Sequence, residues 1–388
     1  MNTSKSRYQL RERPPTSGRE LYQPVSERFR NMIADAEASI AAPFKGVTTD
    51  GDVLPGLFSI APTGVSTAHL CAAAESYLAA LGSHEGRHAI DSDAWRRWSN
   101  IHPYLMRQGA LLDAMSPSLR DKALGVMQAS FSERGFKEAR DVMRLNETLL
   151  EMTEKPEEFG EWLYWLNIFG TPSESEPWGW QMDGHHLNVS CLVLGDQLTM
   201  TPFFLGSEPT LADVGKYAGT RVFEAEESRA LALMGSLSPE QRQKAVVSQE
   251  LPMELFGAAF RDNLELRYEG IAGSALTVEQ RGKLLELVET YVGRTNAGHA
   301  AVKLDEVRAH LDATHFSWRG GISSDSVFYY RIHSPVVLIE FDHQRGIEFA
   351  NDEPERSHIH TIVRTPNGND YGKDLLRQHY EQGHHVIK

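Results

Sequence analysis

Sixteen histidines fall among the 388 residues, and several are grouped: His185-His186, His358-Ile359-His360, and a C-terminal set of His379, His384 and His385. Imidazole is the commonest protein metal ligand and the usual general base near neutral pH, so these groups mark where chemistry would sit. On a strand, side chains alternate, so His358 and His360 project from one face about two residue rises apart and can reach one ion. Ile362 and Arg364 share that parity. The competing reading is two polar residues on the solvent face of an edge strand. In Asp183-Gly184-His185-His186-Leu187-Asn188, a strand beginning near His185 would put His186, Asn188 and Ser190 on one face, with His185 on the other. Here the competing reading is one structural and one solvated histidine.

The segment Leu-Ile-Glu-Phe-Asp-His places Glu340 and Asp342 on one strand face, directly after the apolar run from Val336 to Ile339. Carboxylates at the end of a buried strand are costly unless a cation or hydrogen bonds compensate. One connection separates them from His358, so a hairpin would bring them to the His-X-His. His186, His358, His360 and Glu340 are therefore the expected ligands of a divalent ion. Zn, Mn and Fe all suit such a set, and the scarcity of cysteine disfavours thiolate-loving ions. Glu340, Asp342, Arg364 and His185 are the catalytic candidates. Arg364 runs into the turn-rich Thr365-Pro366-Asn367-Gly368-Asn369-Asp370, where its planar fork could clamp an anionic group. Whether Asp370 or His379 contributes stays open. Trp178, Trp180 and Phe203-Phe204 would line either a pocket or the core.

The elements that must position these residues change in texture along the chain. Residues 1–25 read as an extended, charged arm. From 26 to 168 the apolar spacing is mainly helical, as in Phe29, Met32, Ile33 and Ile40, and Ser116-Pro117 marks a helix start. From 169 to 388 an α+β part carries the candidate site, with strands over 186–205, 326–343 and 358–364 interrupted by a helical insertion. Ser238-Pro239-Glu240-Gln241 and Thr277-Val278-Glu279-Gln280 are two similar capped starts, too short to establish a repeat. The expected fold class is α+β, a helical N-terminal part followed by a mixed or antiparallel sheet, packed as one body.

Composition bounds the rest. The charge of −14 and the lack of a basic patch argue against nucleic acid. No apolar stretch reaches the ~18 residues of a membrane span. Two distant cysteines and an N-terminus without an apolar leader point to the cytoplasm. Neither Gly-x-Gly-x-x-Gly, Gly-x-x-x-x-Gly-Lys-Ser/Thr nor Gly-x-Ser-x-Gly occurs, so nucleotide-fold and α/β-hydrolase readings lose their support. The expected partner is a small-molecule substrate, with a homo-oligomer left open.

Four blocks, FGTPSESEPWGWQMDGHHLNVS, TPFFLGSEP, YYRIHSPVVLIEFDH and HIHTIVRTPNGNDYGKDLLRQHY, resemble in content and order the bacterial and fungal family known as domain of unknown function 3500. The resemblance runs from about residue 25 to the end. It implies that His185, His186, Glu340, Asp342, His358, His360, Arg364 and Asp370 belong together, with His379 after the last helix. It implies no reaction. One departure is Ser357, where similar sequences are expected to carry Asn.

These residues support a metal-dependent enzyme, first a hydrolase acting on a small organic substrate with an anionic group. A metal-dependent lyase or a non-haem iron oxygenase is the alternative, and a non-catalytic ligand-binding protein the second.

Overall fold

The computed structural model describes residues 6–12, 27–82, 85–100 and 108–383. Most of the N-terminal arm, and His384 and His385, lie outside these. Among the described residues nine α-helices and a thirteen-stranded sheet form an α+β fold, as expected. No described helix is long and apolar enough to cross a membrane.

Eight strands make the body of the sheet: β1 (Tyr164–Gly170), β2 (Trp178–Gly184), β3 (Leu187–Leu194), β4 (Phe203–Ser207), β5 (His315–Gly320), β6 (Phe328–His333), β7 (Leu338–Gln344) and β8 (Glu355–Arg364). They run β1-β2-β3-β4-β8-β7-β6-β5, each neighbour antiparallel. Two four-stranded meanders thus join through their last strands. The β7–β8 hairpin around the polar 344–357 connection forms as expected. The run from Phe328 to His343, expected as one strand, is two, because Ser334 Oγ accepts from the backbone N–H groups of Val336 and Val337 and turns the chain. β1 begins inside the stretch read as helical. Its Tyr-Trp-Leu-Asn-Ile-Phe is buried on both faces, so it lacks the alternation that marks a half-exposed strand.

The helix starts form as read. Ser116 Oγ caps Leu119 N with Pro117 in the first turn, and Ser238 and Thr277 each close a full capping box. The repeat that those two starts could not establish exists at a larger scale. Each meander is preceded by the same succession. A two-residue strand (Ala110–Leu111, Ile271–Ala272) leads to a short 3₁₀ turn, then a capped helix (Pro117–Ser130, Val278–Val292) and a second helix (Glu133–Thr153, Ala297–Ala309). Even a tie within this unit recurs, Arg120 Nε donating to Leu112 O and Arg281 Nε to Gly273 O. The two inter-helix junctions meet reciprocally, Ser132 N donating to Arg294 O at 2.8 Å and Asn296 N to Ser130 O at 3.0 Å. The halves therefore pack reciprocally, like to like, about a pseudo-two-fold axis between β4 and β8.

Residues directly opposite across antiparallel strands share a face. One face carries Val189, Phe203, Val363, Ile339, Ile332 and Phe316, buried in one core with the helices. The other carries two polar rungs: Asn188–Phe204–Ile362–Glu340–Arg331–Ser317 and Gly206–His360–Asp342–Tyr329–Arg319. Mostly irregular chain, with the 3₁₀ turn Asp93–Arg96, covers this face, with Trp95, Trp98, Leu255 and Ala258 packing on Phe204, Tyr329 and Ile362.

Candidate metal centre

The imidazoles of His186, His358 and His360 converge at the β4–β8 seam. His360 Nε2 lies 3.0 Å from His358 Nε2 and 3.1 Å from His186 Nε2, and the third separation is 3.3 Å. All three side chains are buried. His358 and His360 arrive by strand parity, as expected. His186 arrives otherwise: with His185 it forms the two-residue turn between β2 and β3, and its left-handed φ of 64° swings the ring toward β8. A non-glycine residue pays for that conformation, on the order of 1 kcal/mol, so surrounding structure must hold it there. Gly206 gives the rings room, since a Cβ at that position would lie 2.9 Å from Cδ2 of both His186 and His360.

The outer ring nitrogens fix the tautomers. His358 Nδ1 lies 2.8 Å from Arg345 O, and His360 Nδ1 lies 3.0 Å from Glu254 Oε1. Both partners are acceptors, so each Nδ1 carries a proton, and a neutral ring held this way turns its Nε2 lone pair inward. Burial, reinforced by the neighbouring imidazoles, holds the His186 pKa well below its ordinary value. Burial takes His358 down to about 4, against the pull of Glu208. Lone pairs facing one another at these distances repel. A shared proton relieves one pair; a metal ion relieves all three contacts. For metal–nitrogen bonds of about 2.0–2.1 Å at angles between 90° and tetrahedral, the nitrogens sit about 2.8–3.4 Å apart, a range that contains the three separations found.

The acidic residues divide differently from expectation. Asp342, not Glu340, is opposite His360 in the ladder. Gln344 donates to Asp342 Oδ2, while Oδ1 is buried without a partner. Burial, then the charges of Glu254 and Glu340, push this carboxyl well above the usual carboxylate range. Glu340, expected as ligand or base, is occupied elsewhere: its oxygens accept from Phe256 N at 2.9 Å, Gly257 N at 2.6 Å and the Tyr329 hydroxyl at 2.7 Å. It lies opposite Ile362, one rung from His360. Its place beside the histidines falls to Glu254, which sequence reading missed. Burial would raise the Glu254 carboxyl, but contact with His360 and the Leu255 N–H outweigh it and hold the group ionised. Glu254, Asp342 and His360 offer ligand atoms within 4.8 Å of one another.

Arg364 is not available as an anion clamp. Fully buried, it donates through Nε to Asp370 (2.7 Å), Nη1 to Gly257 O (2.9 Å) and Nη2 to Asp262 (2.6 Å), so its fork is spent inside the fold. Asp370 belongs to that network, also accepting from Thr365 N. His185 stacks on His186 with ring centroids 4.0 Å apart, and its Nδ1 lies 2.8 Å from Asn146 Oδ1. It backs the His186 ring rather than joining the converging nitrogens. His379, expected after the last helix, lies within its final turn (Lys373–Glu381) and 3.6 Å from Glu176, apart from the trio. Trp178 and Trp180 are core. A cavity of about 520 Å³ lined by Phe58, Met200, Phe203, Tyr291, Lys303 and Thr365 does not include the three imidazoles.

No curated protein and no solved structure matches the chain. A family signature does, over residues 63–373, a span that holds all three imidazoles, Glu254, Asp342 and the Arg364 network. The chain belongs to the family described as Protein of unknown function (DUF3500).

Proposed function

We propose that the chain is a metal-dependent enzyme whose ligand set best suits hydrolysis. The observation that carries this is the convergence of three buried Nε2 atoms at 3.0–3.3 Å, two of them with Nδ1 on acceptors. Three imidazoles without a carboxylate match a set that activates water on zinc, whereas the non-haem iron oxygenase pattern uses two histidines and a carboxylate. Bound there, a divalent ion would bring the pKa of a bound water toward neutrality. Glu254 orients His360, as metal-bound imidazoles require. The unpartnered oxygen of Asp342 is the group placed to exchange a proton with substrate or water. With Arg364 committed to Asp262 and Asp370, the anionic group expected of the substrate has no clamp there, and the substrate class is a small organic molecule. The buried, unpaired Cys71 and Cys191 support a reducing compartment, the cytoplasm.

Elemental analysis of untagged protein, with a panel of ester, amide and lactone substrates, tests this reading. Stoichiometric metal is expected in the wild type and strongly reduced metal in His358→Ala and His360→Ala, with near-native helical circular dichroism. A wild type that binds no divalent ion, and whose melting no ion changes, would turn the reading toward the ligand-binding alternative.

A further inference from the structure

The polar rungs continue past Glu340 and Asp342 onto β6 and β5, where a second group of side chains gathers. Ser317 stands opposite Arg331, and His315 opposite His333. Arg319 is on the same face, two residues from Ser317. The two guanidinium groups meet: Nη2 of Arg331 and of Arg319 lie 2.7 and 3.5 Å from the same Glu269 oxygen, and both lie over the Phe256 ring. Tyr268 completes the group, its ring centroid 4.8 Å from that of His315 and 4.6 Å from that of His333.

Two full positive charges here share one carboxylate, itself 40% exposed. Five side chains leave polar atoms buried without a partner: Nε of Arg319 and of Arg331, the Tyr268 hydroxyl, Ser317 Oγ and both ring nitrogens of His333. Ser317, Arg331 and His333 are each 1% exposed. An isolated buried polar atom is a local flaw, but five on adjoining positions of two paired strands, with a sixth on Tyr268 packed against them, form a surface with a common requirement. All of these groups can donate, and the two arginines can only donate. The complement of convergent N–H and O–H donors with a net positive charge is an oxyanion, which guanidinium groups bind through directed, charge-assisted hydrogen bonds.

We propose that Arg319, Arg331, His333, Ser317 and Tyr268 form a binding site for a phosphate-type oxyanion, separate from the three-histidine centre and independent of the metal reading. Glu269 and the partly exposed Arg319 form its solvent side, and Ser317 and His333 its floor. The oxyanion is either free phosphate or the phosphate group of a larger ligand.

Calorimetric titration of chelator-treated full-length protein at constant ionic strength tests the proposal, because stripping divalent ions removes the imidazole centre as a competing anion site. Inorganic phosphate is one probe and methyl phosphate the other. The expected result is one phosphate per chain, bound at least about tenfold more weakly by Arg319→Gln and severalfold more weakly by Tyr268→Phe, two changes at partly exposed positions. Equal binding of methyl phosphate identifies the phosphate group of a larger ligand as occupant; phosphate binding alone identifies the free anion. Absence of binding by both probes, or binding that neither substitution weakens, overturns the proposal.

Discussion

Glu254 Oε1 lies 3.0 Å from Nδ1 of His360, joining two residues that are 106 positions apart. The contact fixes the proton on Nδ1 and turns Nε2 toward His186 and His358, so a residue on non-helical chain decides whether a strand residue can act as a ligand. Glu254 is itself tied down, its Oε1 accepting from Leu255 N at 2.9 Å.

Glu254→Gln therefore keeps the size of the side chain but weakens the orienting bond. Metal affinity is expected to fall about 10 to 100-fold, the usual consequence of losing such a partner, with helical circular dichroism unchanged. Competition against a chelator of known affinity measures it. Unaltered affinity would remove Glu254 from the site.

The shared orientation of His358 and His360 on β8 was legible in the sequence because strand parity is a local property: the two needed only an extended backbone between them. Their meeting with His186 was legible in outcome but not in cause, since it depends on a left-handed turn residue and on the β4–β8 pairing. Glu254 left no signal, because nothing in Pro-Met-Glu-Leu-Phe-Gly shows which strand that segment will cross. Arg364 and Glu340 misled for a related reason. Parity put them on the polar face as expected, but Asp262, Phe256 and Gly257, contributed by the covering chain, satisfy them there. Long-range pairing also hid the duplicated architecture, whose halves share element order and little local sequence.

Gly206 offers a test of the crowding around the imidazoles. A methyl group there would press on the His186 and His360 rings and on Ile359 O, all at 2.9 Å. Gly206→Ala should lower metal affinity by roughly tenfold or more, with a stability loss of about 1–3 kcal/mol as for other overpacked interiors. Cobalt substitution, read by its visible spectrum, would report the altered ligand geometry. An unperturbed spectrum and affinity would mean the rings can yield.

For Arg364 the expected effect moves from substrate affinity to stability. Lysine keeps the charge but cannot reach Asp370, Gly257 O and Asp262 together, so at least one buried carboxylate loses its partner. Arg364→Lys should destabilise the chain by on the order of 3 kcal/mol in urea unfolding, while the folded fraction binds metal as wild type does. A changed KM at unchanged stability would restore the clamp.

His333 makes the polar patch on β5 and β6 visible in the pH dependence of folding. Its ring is buried and faces the Arg331 guanidinium, with His315 opposite and Tyr268 packed against it, while Glu269 is engaged by Arg331. Burial first, then the positive charges of Arg331 and His315, take its pKa from 6.5 down to about 3. A histidine with a lowered folded pKa stays neutral in the native state while the unfolded chain takes up a proton below about 6.5. Its contribution to stability is therefore whole above that value and shrinks as pH falls through the window down to about 3. His333→Phe removes that proton and both unpartnered nitrogens at similar volume. In phosphate-free buffer the variant should match or exceed the wild-type melting temperature at pH 7. Between pH 6.5 and 4 its melting temperature should fall less steeply, the difference corresponding to one proton per chain. Parallel curves for the two proteins would mean that the His333 ring reaches water or a donor-accepting partner in solution, and the patch would then lose its floor.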